Sequence, residues 1–186
     1  DTGFVQRVDT RTARTNVSYR WWPESWVINW GPMASYSRNY DFAGILQDEQ
    51  ATLSILTMLA NSITGIANVN RDMERFLGTA FFKTRYSLGT GINTSRRIRV
   101  GGLVSWGDEI FFSDTPFLGK SLTAGLFLTL RPITRLNADI NVITSRLKVP
   151  TTNTEIFDVK IFRTFTTYQF TDRLLLRNIM EYNSFD

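Results

Sequence analysis

The sequence predicts an all-β chain, an antiparallel up-and-down meander of about ten long strands forming part of a transmembrane outer-membrane β-barrel. Three observations predict it. Apolar and polar residues alternate with period two, the alternating segments are long, and the connections between them alternate between tight and extended.

The period is clearest in Thr12 to Trp21, where Ala13, Thr15, Val17, Tyr19 and Trp21 share one parity and Thr12, Arg14, Asn16, Ser18 and Arg20 the other. A strand places those two sets on opposite faces, whereas a helix would scatter them around its axis. Gly119 to Leu130 repeats the pattern, with Leu122, Ala124, Leu126, Leu128 and Leu130 against Ser121, Thr123, Gly125, Phe127 and Thr129. Residues 79–93 and 135–145 sort the same way. Pro, Gly, Asn, Asp and Ser punctuate the chain into strands near 12–22, 26–37, 44–57, 62–70, 78–93, 97–107, 119–131, 135–146, 154–169 and 173–183. Most exceed the five or six residues usual in soluble sheets and reach the nine to eleven that a tilted spanning strand needs.

Connections at 23–25, 60–61, 95–96, 132–134 and 171–172 read as short, and those at 38–43, 71–77, 108–118 and 147–153 as long. That is the expected rim asymmetry of a membrane barrel. Trp21, Trp22, Trp26, Tyr168 and Phe170 gather by the short turns, and Tyr36, Tyr40, Phe76, Trp106, Phe111 and Phe112 by the loops. Indole and phenol rings prefer the headgroup level of a bilayer, so the two groups resemble aromatic girdles.

With 186 residues, the chain is read as a single β-barrel segment over 1–186. No apolar run approaches the eighteen or so residues of a spanning helix. Cysteine and histidine are absent, which excludes disulfides, thiolate or imidazole metal sites and imidazole-based triads. No metal or cofactor is expected. The net charge of +4 is spread along the chain rather than gathered into a basic arm, so nucleic acid is not an expected partner. Asp1 to Val5 carries no charged leader followed by an apolar core, so an exported form is expected to have its signal upstream.

Several segments resemble the large Gram-negative outer-membrane proteins grouped as domain of unknown function five-nine-one-six. They are GFVQRVDTR (3–11), NWGPMASYSRNYDF (29–42), LQDEQ (46–50), NVNRDMERF (68–76), INTSRR (92–97), SWGDEIFFSDTPFLG (105–119), LTLRPITRL (128–136) and TNTEIFDVKIFRTFTTYQFTDRLLLRNIMEYN (152–183). The resemblance implies a β-barrel following an amino-terminal domain similar to a family-nine carbohydrate-binding module. It also implies that these residues are the later part of a wider barrel, without its amino-terminal domain, early strands or final strands. It carries over no catalytic residue.

Arg14, Arg20, Asp48, Lys83, Arg85, Arg99, Asp139, Lys160, Arg173 and Arg177 are the candidate lumen-lining residues, with Gln50, Asn141 and Glu181 beside them. A charge held against lipid at mid-depth costs about 2–4 kcal/mol, so these side chains are expected to point inward. There they either bias the lumen towards anionic or sugar-like solutes, pair into a structural ladder, or grip a plug. Asp72, Glu74, Trp106, Asp108 and Asp114 are the candidate outer-loop binding set. The alternating oxygens of Asn68, Asn70, Asp72 and Glu74 match a spacing used by calcium sites but lack the glycine turn and bidentate acid of a helix-loop-helix. A glycosidase would need two acids about 5–10 Å apart across a cleft, which Asp72 with Glu74, or Asp108 with Asp114, can match by distance alone.

The sequence therefore points to a bacterial outer-membrane pore, transporter or surface scaffold, associated with glycans. Its expected partners are outer-membrane lipid and lipopolysaccharide, glycans, and other outer-membrane or secretion proteins. Two alternatives stay open: a barrel-borne hydrolase acting on polysaccharide or lipid, and a soluble β-sandwich carbohydrate-binding module.

Overall fold

The computed structural model describes residues 10–185; residues 1–9 and 186, and with them most of segment 3–11, lie outside the described residues. Ten strands follow in chain order: β1 (Thr10–Ser18), β2 (Val27–Asp41), β3 (Leu46–Leu59), β4 (Ile63–Phe76), β5 (Thr79–Ile92), β6 (Ile98–Phe111), β7 (Phe117–Ile133), β8 (Leu136–Lys148), β9 (Glu155–Gln169) and β10 (Leu175–Phe185). A single 3₁₀ turn at Ala60–Ser62 joins β3 to β4. All ten strands form one antiparallel sheet in the order β1 to β10. Each strand pairs with its sequence neighbour, and β1 and β10 are the open edges. A sandwich needs two facing sheets. Among the described residues there is one, so the sandwich alternative does not match this architecture.

Register fixes which side chains share a face, because a one-residue slip would exchange the faces. The row Ser54, Asn68, Ser87, Ser105, Thr123, Ser145 runs from β3 to β8 on one side. The adjacent row Leu53, Val69, Tyr86, Trp106, Leu122 runs from β3 to β7 on the other. Among the described residues no second layer covers the apolar face. Leu53, Phe82, Leu88, Leu122 and Leu126 on it are exposed, Phe82 by 63% and Leu126 by 62%. Deep burial is instead confined to a few side chains, including Ser54, Asp72, Lys83 and Phe81 on the polar face.

The expected asymmetry of connection length is not what forms. Residues 42–45, 77–78, 112–116 and 149–154 link strands at one rim, and 19–26, 60–62, 93–97, 134–135 and 170–174 at the other. Stretches read as long loops are strand. β2, β4 and β6 run to Asp41, Phe76 and Phe111, well past the ends at 37, 70 and 107 that the punctuation suggested. The reason is cross-strand charge pairing. Polar residues that look like loop in one dimension sit opposite or diagonal to partners of opposite sign on the next strand: Arg38 opposite Glu49 at 2.9 Å, Lys120 opposite Asp108 at 2.5 Å, and Lys83 diagonal to Glu74 at 2.6 Å. β1, by contrast, ends at Ser18, and beyond it the Tyr19 amide donates to the Pro32 carbonyl at 3.1 Å and Trp21 bridges to Trp30.

Gly107 marks where β5 and β6 part, since their ladder ends at Arg85 opposite Gly107. Its φ is +139°, and a Cβ there would stand 2.2 Å from the Thr84 carbonyl oxygen. Beyond it the Asp108 carboxylate accepts from the Thr84 amide at 3.0 Å, replacing the lost ladder bond. Gly107→Ala is expected to lower unfolding free energy by about 1–3 kcal/mol in denaturant titrations followed by tryptophan fluorescence. Gly44→Ala, at φ +84° with nothing within 4 Å of its Cβ, is the control that carries backbone strain without the clash. Equal midpoints for the two variants would contradict the close approach.

Candidate functional site on the polar face

Continuing the period of two through β4, β5 and β6 brings Asp72, Glu74, Lys83, Arg85 and Glu109 onto one face at the charged ends of the strands. Arg85 joins two strands, its Nη2 donating to Asp72 Oδ2 at 2.8 Å and its Nη1 to Glu109 Oε2 at 3.1 Å. Lys83 lies 2.6 Å from Glu74 Oε2 and 3.7 Å from Glu109 Oε1. Lys83 and Asp72 are both buried. Asp72 Oδ1 and Arg85 Nε have no hydrogen-bond partner, so the Arg85 guanidinium carries the compensation of the Asp72 charge. Three acids share two cations, which makes this end of the polar face an acidic, internally paired cluster.

The other candidate lumen residues separate. Arg14 borders the cluster from β1, opposite Ser37. Asp48 accepts from Asn39 at 3.2 Å. Asp139 accepts from Thr129 at 2.6 Å and from Asn137 at 2.7 Å. Arg177 stands opposite Thr167 near the β10 edge. Arg20 lies beyond β1, its guanidinium 6.0 Å from the Trp22 ring, and Arg99 stands 5.9 Å from the Phe127 ring. Two do not fit the expected face. Lys160 pairs in register with Thr144 and Ser184 on the apolar side, where it lies 3.4 Å from Asp158. Arg173 sits in the turn at 170–174, outside the strands.

The expected outer-loop set does not form one loop site. Asp72 and Glu74 are strand residues on the polar face. Trp106 is within β6 on the apolar face, stacked on Tyr86 with centroids 5.8 Å apart. Asp108 ends that same face beside Lys120, and Asp114 alone lies in a connection. The alternating oxygens of β4 are each engaged across a strand. Asn68 donates to Ser87 at 2.9 Å, Asn70 accepts from Thr52 at 2.8 Å, and the two acids hold Arg85 and Lys83. Likewise Arg85 and Lys83 occupy the space that a glycosidase pair would leave for substrate. Glu109 is the cluster residue absent from both candidate sets; carrying the β6 period two residues past Gly107 places it on this face.

Aromatic residues cluster at both ends of the sheet. Trp21 stacks on Trp30 with centroids 4.5 Å apart, and Tyr168 meets Phe170 edge-on at 4.7 Å by the turns. At the opposite rim Phe76 meets Phe112 at 5.0 Å. No protein-family model, curated protein or solved structure matches this chain.

Arg85→Met is expected to cost about 3–5 kcal/mol, because it leaves buried Asp72 unpaired. Asp72→Asn in the same chain recovers most of that loss. A double-mutant cycle of unfolding free energies measures it, and additive losses would show that the pair is not coupled.

Proposed function

We propose that this chain is a section of the wall of a transmembrane β-barrel in a bacterial outer membrane, its apolar face against lipid and its polar face lining an aqueous interior through which solutes pass. One observation carries the reading. The first charged residue that bounds the apolar band, met from the rim of the 60–62 and 134–135 connections (the turn end), moves down the sheet: Glu49 on β3, then Arg71, Asp108 and Lys120 at about one level on β4, β6 and β7, then Arg146 on β8 and Lys160 on β9. The hydrogen-bonded row through Lys160 returns to β3 at Ile55, by way of Thr144, Ala124, Val104, Leu88 and Ala67.

The border therefore drops from position 49 to position 55 on β3 while crossing to β9. Taken at about 3.3 Å per residue along a strand and about 4.8 Å between strands, that is an incline of about 35° to the hydrogen-bonding direction. A horizontal bilayer surface meets barrel strands at this angle, since such strands tilt about 35–45°. Below the border the apolar stretches on β3 (51–59), β6 (98–106), β7 (122–130) and β8 (136–144) are each about nine residues, a tilted crossing of the hydrocarbon core. The ion pairs then lie at headgroup level and the aromatic clusters at the two interfaces.

An open ten-stranded sheet fits a part of a wider barrel, in line with the resemblance to domain of unknown function five-nine-one-six. That resemblance also supplies the link to glycans, through the carbohydrate-binding module it implies.

Leu126 and Gly125 give the sharpest substitution test, being neighbours on opposite faces of β7. In a lipid-facing position Leu126→Arg costs about 2–4 kcal/mol, while Gly125→Arg on the water side costs less than about 1 kcal/mol. There is room for it: a Cβ at Gly125 meets only the Val142 carbonyl oxygen, at 3.9 Å. In a water-exposed face both changes would be near neutral. Folding titrations into lipid vesicles measure the difference. Ohmic single-channel steps in planar bilayers and heat-modifiable migration on detergent gels are the expected behaviour of the intact protein. A folded protein that partitions into neither detergent nor vesicles would refute the wall.

A further inference from the structure

The polar face is not uniform. At its turn end the cross-strand rows hold glycine and apolar residues, where the opposite end holds the acid-rich cluster. Gly89 and Gly91 form a side-chain-free floor, walled by Met58, Ile66, Leu103 and Phe127, in an open trough of about 640 Å³. The floor is kept low by what lies beside it. A Cβ at Gly89 would stand 3.0 Å from both Ile66 and Leu103, and the Phe127 ring reaches to 2.2 Å of where a Gly101 Cβ would be. Arg20 and Arg99 line the trough, and no carboxylate does. Neither guanidinium is in an ion pair among the described residues. Asp139, further along this face, is taken up by the Thr129 hydroxyl and the Asn137 amide.

Two guanidiniums without acids beside a narrow apolar floor make an incomplete electrostatic arrangement. A guanidinium presents a rigid fork of donors that fits a carboxylate through two parallel bonds, and it gains more from such a partner at a partly dehydrated edge than in open water. Apolar surface next to it gains from covering a hydrocarbon or ring body. A trough of this size falls within the range that holds small organic ligands. We propose that this trough binds an amphipathic organic anion, its carboxylate on Arg99, its apolar body over Gly89 and Gly91 against Ile66, Leu103 and Met58, and Arg20 adding positive charge at the β1 side of the trough. The inference rests on the reading that this face borders water and deepens it, since it places an anion-selecting step at the turn end of the interior.

Met58 reports the site directly, because the chain has 4 methionines and the methyl of Met180 lies on the opposite face. The experiment is methyl-methionine NMR of the full chain in lipid nanodiscs, titrated with octanoate, acetate and octan-1-ol. Octanoate is expected to shift the Met58 signal saturably, and acetate and octan-1-ol to require about tenfold higher concentration or more. Arg99→Gln is expected to raise the octanoate half-saturation about tenfold, and Gly91→Leu to abolish the shift while the Met180 signal stays in place. No saturable Met58 shift, or equal response to octanoate and octan-1-ol, overturns the proposal. A nitroxide-bearing lipid in the same sample separates the two failures. Broadening of Met180 alone leaves the wall standing whatever Met58 does with octanoate, whereas equal broadening of Met58 removes the wall and the trough proposal together.

Discussion

A sheet of one layer has two faces and nothing of its own to cover either, so each face must suit the medium that meets it. That constraint organises the chain. Inter-strand hydrogen bonding satisfies the backbone within the sheet, and antiparallel register then assigns each side chain to one medium or the other. Because the pairing is kept from β1 to β10 without a crossover, one parity error anywhere would mix the two faces over the rest of the sheet. The two-residue period in the sequence is the record of that requirement.

The same constraint explains where the charges sit. Charge on the polar face meets water or its own counter-charges, as Arg85 meets Asp72 and Glu109. Charge on the apolar face is kept to the rim away from the turns and is paired there: Arg38 with Glu49, Lys120 with Asp108, and Arg146 and Lys160 with Asp158. Surface ion pairs contribute little stability in water. Their value here is positional, since they let the strands continue as ordered ladder beyond the apolar band and so hold the rim where it is.

All ten strands were legible in the sequence, as were the two faces of β1, β5, β7 and β8, because alternation there is strong and the punctuation clear. Three kinds of detail were not. Strand ends at Asp41, Phe76 and Phe111 were hidden because paired charges and loop residues have the same composition, and only the partner strand tells them apart. Lys160 was put on the wrong face because both parities of β9 are apolar, with Phe157, Val159 and Ile161 on one side and Phe162 on the other, so the period carries no information until Thr144 fixes the register. The trough was unreadable for a related reason. Gly89, Gly91 and Gly101 look like weak strand positions, and their service as a common floor depends on three-dimensional adjacency with Phe127 and Leu103. The acidic cluster was half legible: Asp72, Glu74, Lys83 and Arg85 stood out as charges, while their grouping required the loop-like stretches holding Asp72, Glu74 and Glu109 to continue as strand.

Which medium touches each face decides whether this sheet is a membrane wall, and site-directed spin labelling along residues 121–130 of β7 reads that directly. With the protein in lipid vesicles, labels at 122, 124, 126, 128 and 130 should collide with dissolved oxygen, and those at 121, 123, 125, 127 and 129 with a water-soluble nickel complex, the two accessibilities oscillating out of phase with period two. Accessibility of both parities to the nickel complex, with no preference for oxygen on the leucine side, would contradict a lipid-facing wall.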